Sequence, residues 1–317
     1  MYKDLKTGYF YAQDLGNCVY TSNSELEPQT LQFNTDLLFI NCGGTIVSTS
    51  VPGQHTGVEP RSNLLGNFFF RSFLQTNKIS YVEGILKLSE KWTLPDYFFI
   101  KDLILKKIKH KKRIIFTFGT DYVSFFAPWI ELLSQEMGFK SVILISQRSL
   151  DRPSAELPHL LKYTIPVLNK LKFNCSVVLT YNTEGVFVHN PFEIKKFHTT
   201  SKKGFYSNHQ TSYPSIKLPR PTRFKVKTVS SLTQMRVSKI EFETIFSNLD
   251  KVDLRISRGV GNPRISFENQ FCSTMVNNGP TNSYLYNGLL ESSTLDPNFT
   301  WESVLVLYTL TNYAGRN

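Results

Sequence analysis

The chain has 317 residues, 41% hydrophobic and 19% charged, so it has the apolar material for a sizeable core and is neither a disordered segment nor a small stapled scaffold. Lys and Arg exceed Asp and Glu by 36 − 25 = 11, a balance that suits a polyanionic partner and equally a Lys-rich composition. No run reaches eighteen apolar residues and MYKDLKTGYF has no apolar stretch behind its lysines, which predicts a cytoplasmic protein with neither membrane span nor secretory signal. The four cysteines are far apart, form no CxxC pair, and predict reduced, buried thiols.

Residues 1–36 are polar and irregular, and the first core strand is predicted at Leu37 to Ile40, ending at Asn41. Further apolar runs predict strands at RIIFTF (113–118), SVILIS (141–146), CSVVLT (175–180) and GVFVH (185–189), all buried on both faces. Between them, amphipathic stretches predict helices over 97–109, 122–137 and 153–173, the last opened by Pro153. Gly138 suits a C-cap and Pro128 predicts a kink. Strands alternating with helices imply an α/β fold with a parallel, flavodoxin-like sheet and right-handed crossovers over 37–211.

The stretch SYPSIKLPRPTRF (212–224) reads as an extended linker, because each proline fixes φ and removes a donor. Residues 225–317 then form a second, smaller α/β domain, with a strand at KVDLRI (251–256) and a final helix over 300–313 capped by Thr300. The basic run KKIKHKKR (106–113) has two readings: a phosphate-backbone contact, or the solvated end of a helix whose lysines complement the macrodipole. The second is favoured.

Ligands of such sheets sit at the turns beyond the carboxyl ends of the strands. Three polar clusters fall there: Gly43-Gly44-Thr45, then Thr117-Phe118-Gly119-Thr120-Asp121, then Gln147 to Ser154. On their own, the threonines also suit helix N-caps, the lysines around 195–203 a solvated basic face, and Ser89 and Glu90 an exposed turn.

Gly43-Gly44-Thr45-Ile46-Val47 and Phe118-Gly119-Thr120-Asp121-Tyr122 resemble the two hallmark turns of the asparaginase/glutaminase amidohydrolase family. Within it, Ser146-Gln147-Arg148-Ser149-Leu150-Asp151-Arg152-Pro153-Ser154 and Ile194 to Thr200 followed by Phe205 are similar to the D-type subunits of archaeal-type glutamyl-tRNA(Gln) amidotransferases. His55 to Val58 and Ser89-Glu90 through Pro95 add to that likeness, which covers about 37–210.

The resemblance implies an amidohydrolase with Thr45 as nucleophile toward the side-chain amide of glutamine, giving an acyl-enzyme and ammonia. It implies a second cluster of Thr120 and Lys196, with Lys196 as base and Asp121 holding the substrate ammonium or orienting Lys196. Ser89 and Glu90 would bind the ends of the substrate. The family uses no metal or organic cofactor, and the six histidines show no metal spacing. The implied setting is a homodimer working with an E-type transferase partner, its ammonia converting Glu-tRNA(Gln) to Gln-tRNA(Gln). A free-standing asparaginase is the alternative reading, and a third is a non-catalytic member that acts by binding.

This sequence departs from the family pattern in several places. Cys42 stands where the family has Thr, Phe118 replaces the His of the second hallmark, and Tyr122 its last Thr. The stretch STSVPGQHTGV lacks the Tyr that activates the first threonine, leaving Gln54 in the nearest position and His55 as the neighbouring base. Gly259 to Pro263 and Gln270-Phe271-Cys272 resemble small-domain turns set closer together than in the family, and Glu302 matches a Glu of the final helix. The first 36 residues are too few for the barrel-like module that D-type subunits carry at that end.

Overall fold

The computed structural model describes residues 30–50, 58–60, 64–108, 110–152, 154–198 and 203–207, with shorter pieces at 2–3, 10–11, 201, 210–212, 240–242, 254–257, 271–274, 300, 302–303 and 306. The main sheet is built from β1 (Leu37–Asn41), β2 (Ser80–Glu83), β3 (Arg113–Thr117), β4 (Lys140–Leu144), β5 (Ser176–Asn182) and β6 (Gly185–His189). A ribbon of β7 (Lys195–Lys196) and β8 (Phe205–Tyr206) follows, and β9 (Thr211–Ser212) returns to the sheet edge. The seven strands lie in the order β9-β6-β5-β4-β3-β1-β2. From β2 to β5 every neighbour is parallel, giving the expected flavodoxin-like order 2-1-3-4-5.

Alternation along each strand divides the core between two faces. Leu38, Ile40, Ile114, Phe116 and Ile143 pack with α2 (Leu94–Lys107) and α3 (Val123–Met137), while Leu37, Phe39, Ile115, Val142 and Leu144 pack with α1 (Phe68–Thr76) and α4 (Leu157–Lys170). The result is a three-layer α/β/α unit whose central strands are buried on both faces, as apolar runs without alternation demand. Glu131 of α3, fully buried, ties this helix to β5 by accepting from the backbone and hydroxyl of Ser176 and from Gln135.

The structure corrects several sequence expectations. GVFVH is antiparallel to β5 and not part of the parallel series, since the two residues between Asn182 and Gly185 close a hairpin and cannot make a crossover. The second helix begins earlier, at Leu94, where Asp96 accepts from the Thr93 backbone in a capping box. The fourth begins later, at Leu157, because Arg152 and Ala155 turn back onto Ser149 and Arg152 carbonyls. Helix α1, capped by Asn67 accepting from Phe70, and strand β2 were not anticipated. Gly138 caps α3 in the left-handed region with φ 74°, and the helix runs through Pro128.

Ser212, the first residue of the expected linker, belongs to β9; the rest of that stretch lies outside the described residues. Past it, Ile240–Phe242, Leu254–Ser257 and Phe271–Thr274 form a separate parallel three-stranded sheet, the second of them overlapping the expected strand. Thr300 caps as expected, its hydroxyl accepting from Ser303 N at 3.2 Å. In the basic run, Lys106 and Lys107 close α2, but Lys111 donates to the Phe33 and Thr35 carbonyls and Ser80 Oγ, and Arg113 forms a paired contact with Asp36. Those two cations fasten residues 33–36 to the sheet at the edge opposite the hallmark turns. No described helix is long and apolar enough to cross a membrane.

Candidate active site

In a sheet of order 2-1-3-4-5 the connections leave β1 and β3 in opposite directions, and the crevice between their carboxyl ends is the natural ligand position. The two hallmark turns occupy it. β1 runs into Gly43-Gly44-Thr45 and the 3-10 turn Thr45–Val47, while adjacent β3 runs into Phe118-Gly119-Thr120-Asp121. Gly44 adopts φ 86° and ψ 171°, a region open almost only to glycine, and a Cβ there would lie 2.4 Å from the Phe118 carbonyl carbon. At Gly119 a Cβ would lie 2.4 Å from Ser89 Oγ. The turns bearing Thr45 and Thr120 are thus packed backbone against backbone, and the Ser89 side chain packs on the Gly119 backbone.

Thr120 is buried, and its Oγ1 accepts a hydrogen bond from Lys196 Nζ at 2.8 Å. The same ammonium donates to Asp121 Oδ1 at 2.7 Å, forming an ion pair whose lysine side chain is 13% exposed and whose carboxylate is 52% exposed. Lys196 reaches this point from the ribbon β7–β8, where it pairs with buried Phe205. The expected Thr120, Asp121 and Lys196 cluster is therefore one contiguous group. Thr45 is half-buried and opens the 3-10 turn. Ser89 is buried with Oγ accepting from Tyr122 N at 3.3 Å, and Glu90 is exposed beside it.

The third polar turn closes around the same edge. Leu150 N donates to the Ser48 carbonyl, joining the 146–154 segment to the helical turn after Thr45, and Gln147 Nε2 donates to the His198 carbonyl, two residues beyond Lys196. Phe118, standing where the hallmark has His, points into the core: it stacks on Phe126 at 3.8 Å and meets Trp92 edge-on at 4.9 Å. Its aromatic face replaces a polar contact with packing. Gln54 and His55, the loop neighbours considered for activating Thr45, lie outside the described residues.

Sequence reasoning missed the polar group beneath the first turn. Asn41, with no exposed surface, faces Gly43, Thr117 and Tyr81, and Tyr81 lies 3.5 Å from Glu83. Burial pushes the Glu83 carboxyl up to about 7, against the lowering effect of the Tyr81 hydrogen bond. The one signal in the sequence was an Asn closing an otherwise apolar strand.

The D subunits of two archaeal glutamyl-tRNA(Gln) amidotransferases are similar to this chain. That of Pyrobaculum aerophilum is 29% identical over 173 residues, 53% of this chain and 41% of that protein. That of Sulfolobus acidocaldarius is 24% identical over 181 residues, 55% of this chain and 40% of that protein. The matched stretch thus spans about two fifths of each relative. The family model for the N-terminal part of asparaginase matches residues 36–224, which takes in the whole main sheet and every turn described above. With more than half of its residues inside that match, the chain belongs to the asparaginase family.

Proposed function

We propose that the chain is an amidohydrolase of glutaminase type that releases ammonia for a transferase partner acting on Glu-tRNA(Gln). The observation that carries this reading is the joining of Lys196 Nζ to both Thr120 Oγ1 and Asp121 Oδ1 at the crevice beside Thr45. Membership in the asparaginase family supports the reaction type, and the likeness to the two amidotransferase D subunits supports the biosynthetic setting.

The placement of the groups supports the following reaction. Thr45 Oγ attacks the side-chain amide carbon, its proton passes to the leaving nitrogen, and the C–N bond breaks to give an ester and ammonia; water then cleaves the ester and regenerates Thr45. In the second step one Lys196 proton moves along the hydrogen bond to Asp121 Oδ1, the resulting amine takes the Thr120 hydroxyl proton, and Thr120 takes one from the water that attacks the ester, the protons returning as Thr45 leaves. Ser89 and Glu90 bind the α-carboxylate and α-ammonium of the substrate. No cofactor enters. A homodimer and an E-type transferase partner complete the assembly, with tRNA held by it.

The test is ammonia release from glutamine and from asparagine by the purified chain, alone and with the transferase partner. Release is expected from glutamine, reduced at least about 10³-fold in Thr45→Ala and in Lys196→Met. Preference for asparagine without any partner would replace this reading by a free-standing asparaginase. Release insensitive to Thr45→Ala, or none in either setting, would overturn the catalytic reading.

A further inference from the structure

Asn41 sits where three strand ends meet, between Glu83 of β2 and Thr117 of β3 in register, and carries no exposed surface. Its Oδ1 accepts from Gly43 N at 3.1 Å and from Thr117 Oγ1 at 2.9 Å. Its Nδ2 donates to Tyr81 OH at 3.2 Å, and that hydroxyl lies 3.5 Å from Glu83 Oε1. Thr117 Oγ1 in turn accepts from Cys42 N at 3.1 Å. Because a backbone N–H can only donate, the atom facing Gly43 must be the amide oxygen, which fixes the orientation of the side chain.

Both backbone N–H groups between Asn41 and Gly44 are therefore held by one small network, Cys42 through Thr117 and Gly43 directly. Thr117 is also the last residue of the strand that leads into Thr120. A single buried amide thus anchors the roots of both threonine turns, serving as acceptor for two donors and as donor to a phenol at once. Asp places a charge in a dry pocket, and Leu leaves these polar groups without their partner.

We infer that Asn41 is a positioning residue that couples the two turns, holding Thr45 in register with Thr120 and Lys196; its catalytic consequence rests on the reading of Thr45 as nucleophile. It acts through Gly43 and Thr117, since a residue with no exposed surface cannot touch substrate.

The experiment compares the full chain with Asn41→Leu, Asn41→Asp and Thr117→Val. Backbone amide spectra and native-state hydrogen exchange are recorded for Cys42 to Thr45, for Gly119 and Thr120, and for Gly84, whose N–H bonds to the Asn41 main-chain carbonyl. Asn41→Leu is expected to speed Gly43 exchange at least about tenfold and to move resonances in both turns, with Gly84 unchanged. Asn41→Asp, below the pH at which its buried acid ionises, restores Gly43 protection. Thr117→Val, the second variant should Asn41→Leu not fold, leaves Gly43 its acceptor and is expected to speed exchange of Cys42, whose N–H loses Thr117 Oγ1, and to move resonances in both turns; Cys42 exchange equal to the parent's would overturn the inference. In ammonia release, kcat falls about 10–100-fold in Asn41→Leu while KM stays within about twofold.

Unchanged Gly43 exchange, a disturbance confined to one turn, or full kcat despite disturbed turns would each overturn the inference. A wild-type chain silent on both amides sinks the catalytic reading alone, and the amide data still decide whether Asn41 couples the turns.

Discussion

Replacing Gly44 by Ala is the sharpest single test of how the site is built. The residue holds φ 86° and ψ 171°, where an L side chain carries roughly 1–3 kcal/mol of strain. The new methyl would lie 2.4 Å from Phe118 C and 2.5 Å from both Phe118 O and Gly119 N, all backbone atoms of the opposite turn. No rotamer change relieves that clash, so one turn must move, adding about 1–3 kcal/mol of overpacking. The sum, roughly 2–6 kcal/mol, is a large part of the about 5–15 kcal/mol that holds a typical domain. Urea denaturation followed by circular dichroism should show a lower midpoint at unchanged slope, and thermal melting a drop of at least about 5 °C. Because the displaced turn carries Thr120, ammonia release should fall further than the loss of folded protein explains. A midpoint and kcat both equal to the parent would refute the claim that the two turns meet backbone to backbone.

Two further outcomes test the scaffold. Glu131→Leu strands the buried Ser176 backbone N–H and hydroxyl and should lower stability by about 3 kcal/mol in urea titration, whereas an equal midpoint would show that the carboxyl is dispensable. His189 lies between the hydroxyls of Thr180 and Ser207, and burial depresses its pKa from 6.5 to about 3. The unfolded chain then binds the extra proton below about pH 6.5, so stability is full above that value and falls as pH drops toward 3, by up to about 1.4 kcal/mol per pH unit. Urea midpoints at pH 7.5, 5.5 and 4.5, on the order of three well-spaced points across the window, should converge for wild type and His189→Gln as pH falls, and parallel curves would contradict this.

Much of the sheet was legible because burial on both faces writes itself as unbroken apolar runs, as in Arg113–Thr117 and Lys140–Leu144. β2 escaped notice since SYVE is a four-residue edge segment with a single aliphatic residue, and α1 because exposed Phe68 opens a run of three phenylalanines that hides the stripe of Phe69, Phe70, Phe73 and Leu74. The direction of β6 followed from loop length and not from its apolar content. In the site, Thr120, Asp121 and Lys196 were legible through the likeness of whole turns, and the structure brings them together. Asn41, Tyr81, Glu83 and Thr117 were not, because their association depends on the register of three strands, which no local pattern encodes.

The ribbon that brings Lys196 to Thr120 stands outside the main sheet, held by Ile194 and Phe205 beneath α3 and by a few polar ties, among them Gln147 to the His198 carbonyl and Lys195 to Glu302. Opening such a ribbon requires far less than melting the central strands. The ammonium can therefore be withdrawn from the crevice while the five parallel strands stay intact. Denaturant at sub-unfolding levels should part Lys196 from Thr120 and Asp121 before it dissolves the fold, so that the ribbon and the scaffold belong to separate cooperative units of one chain.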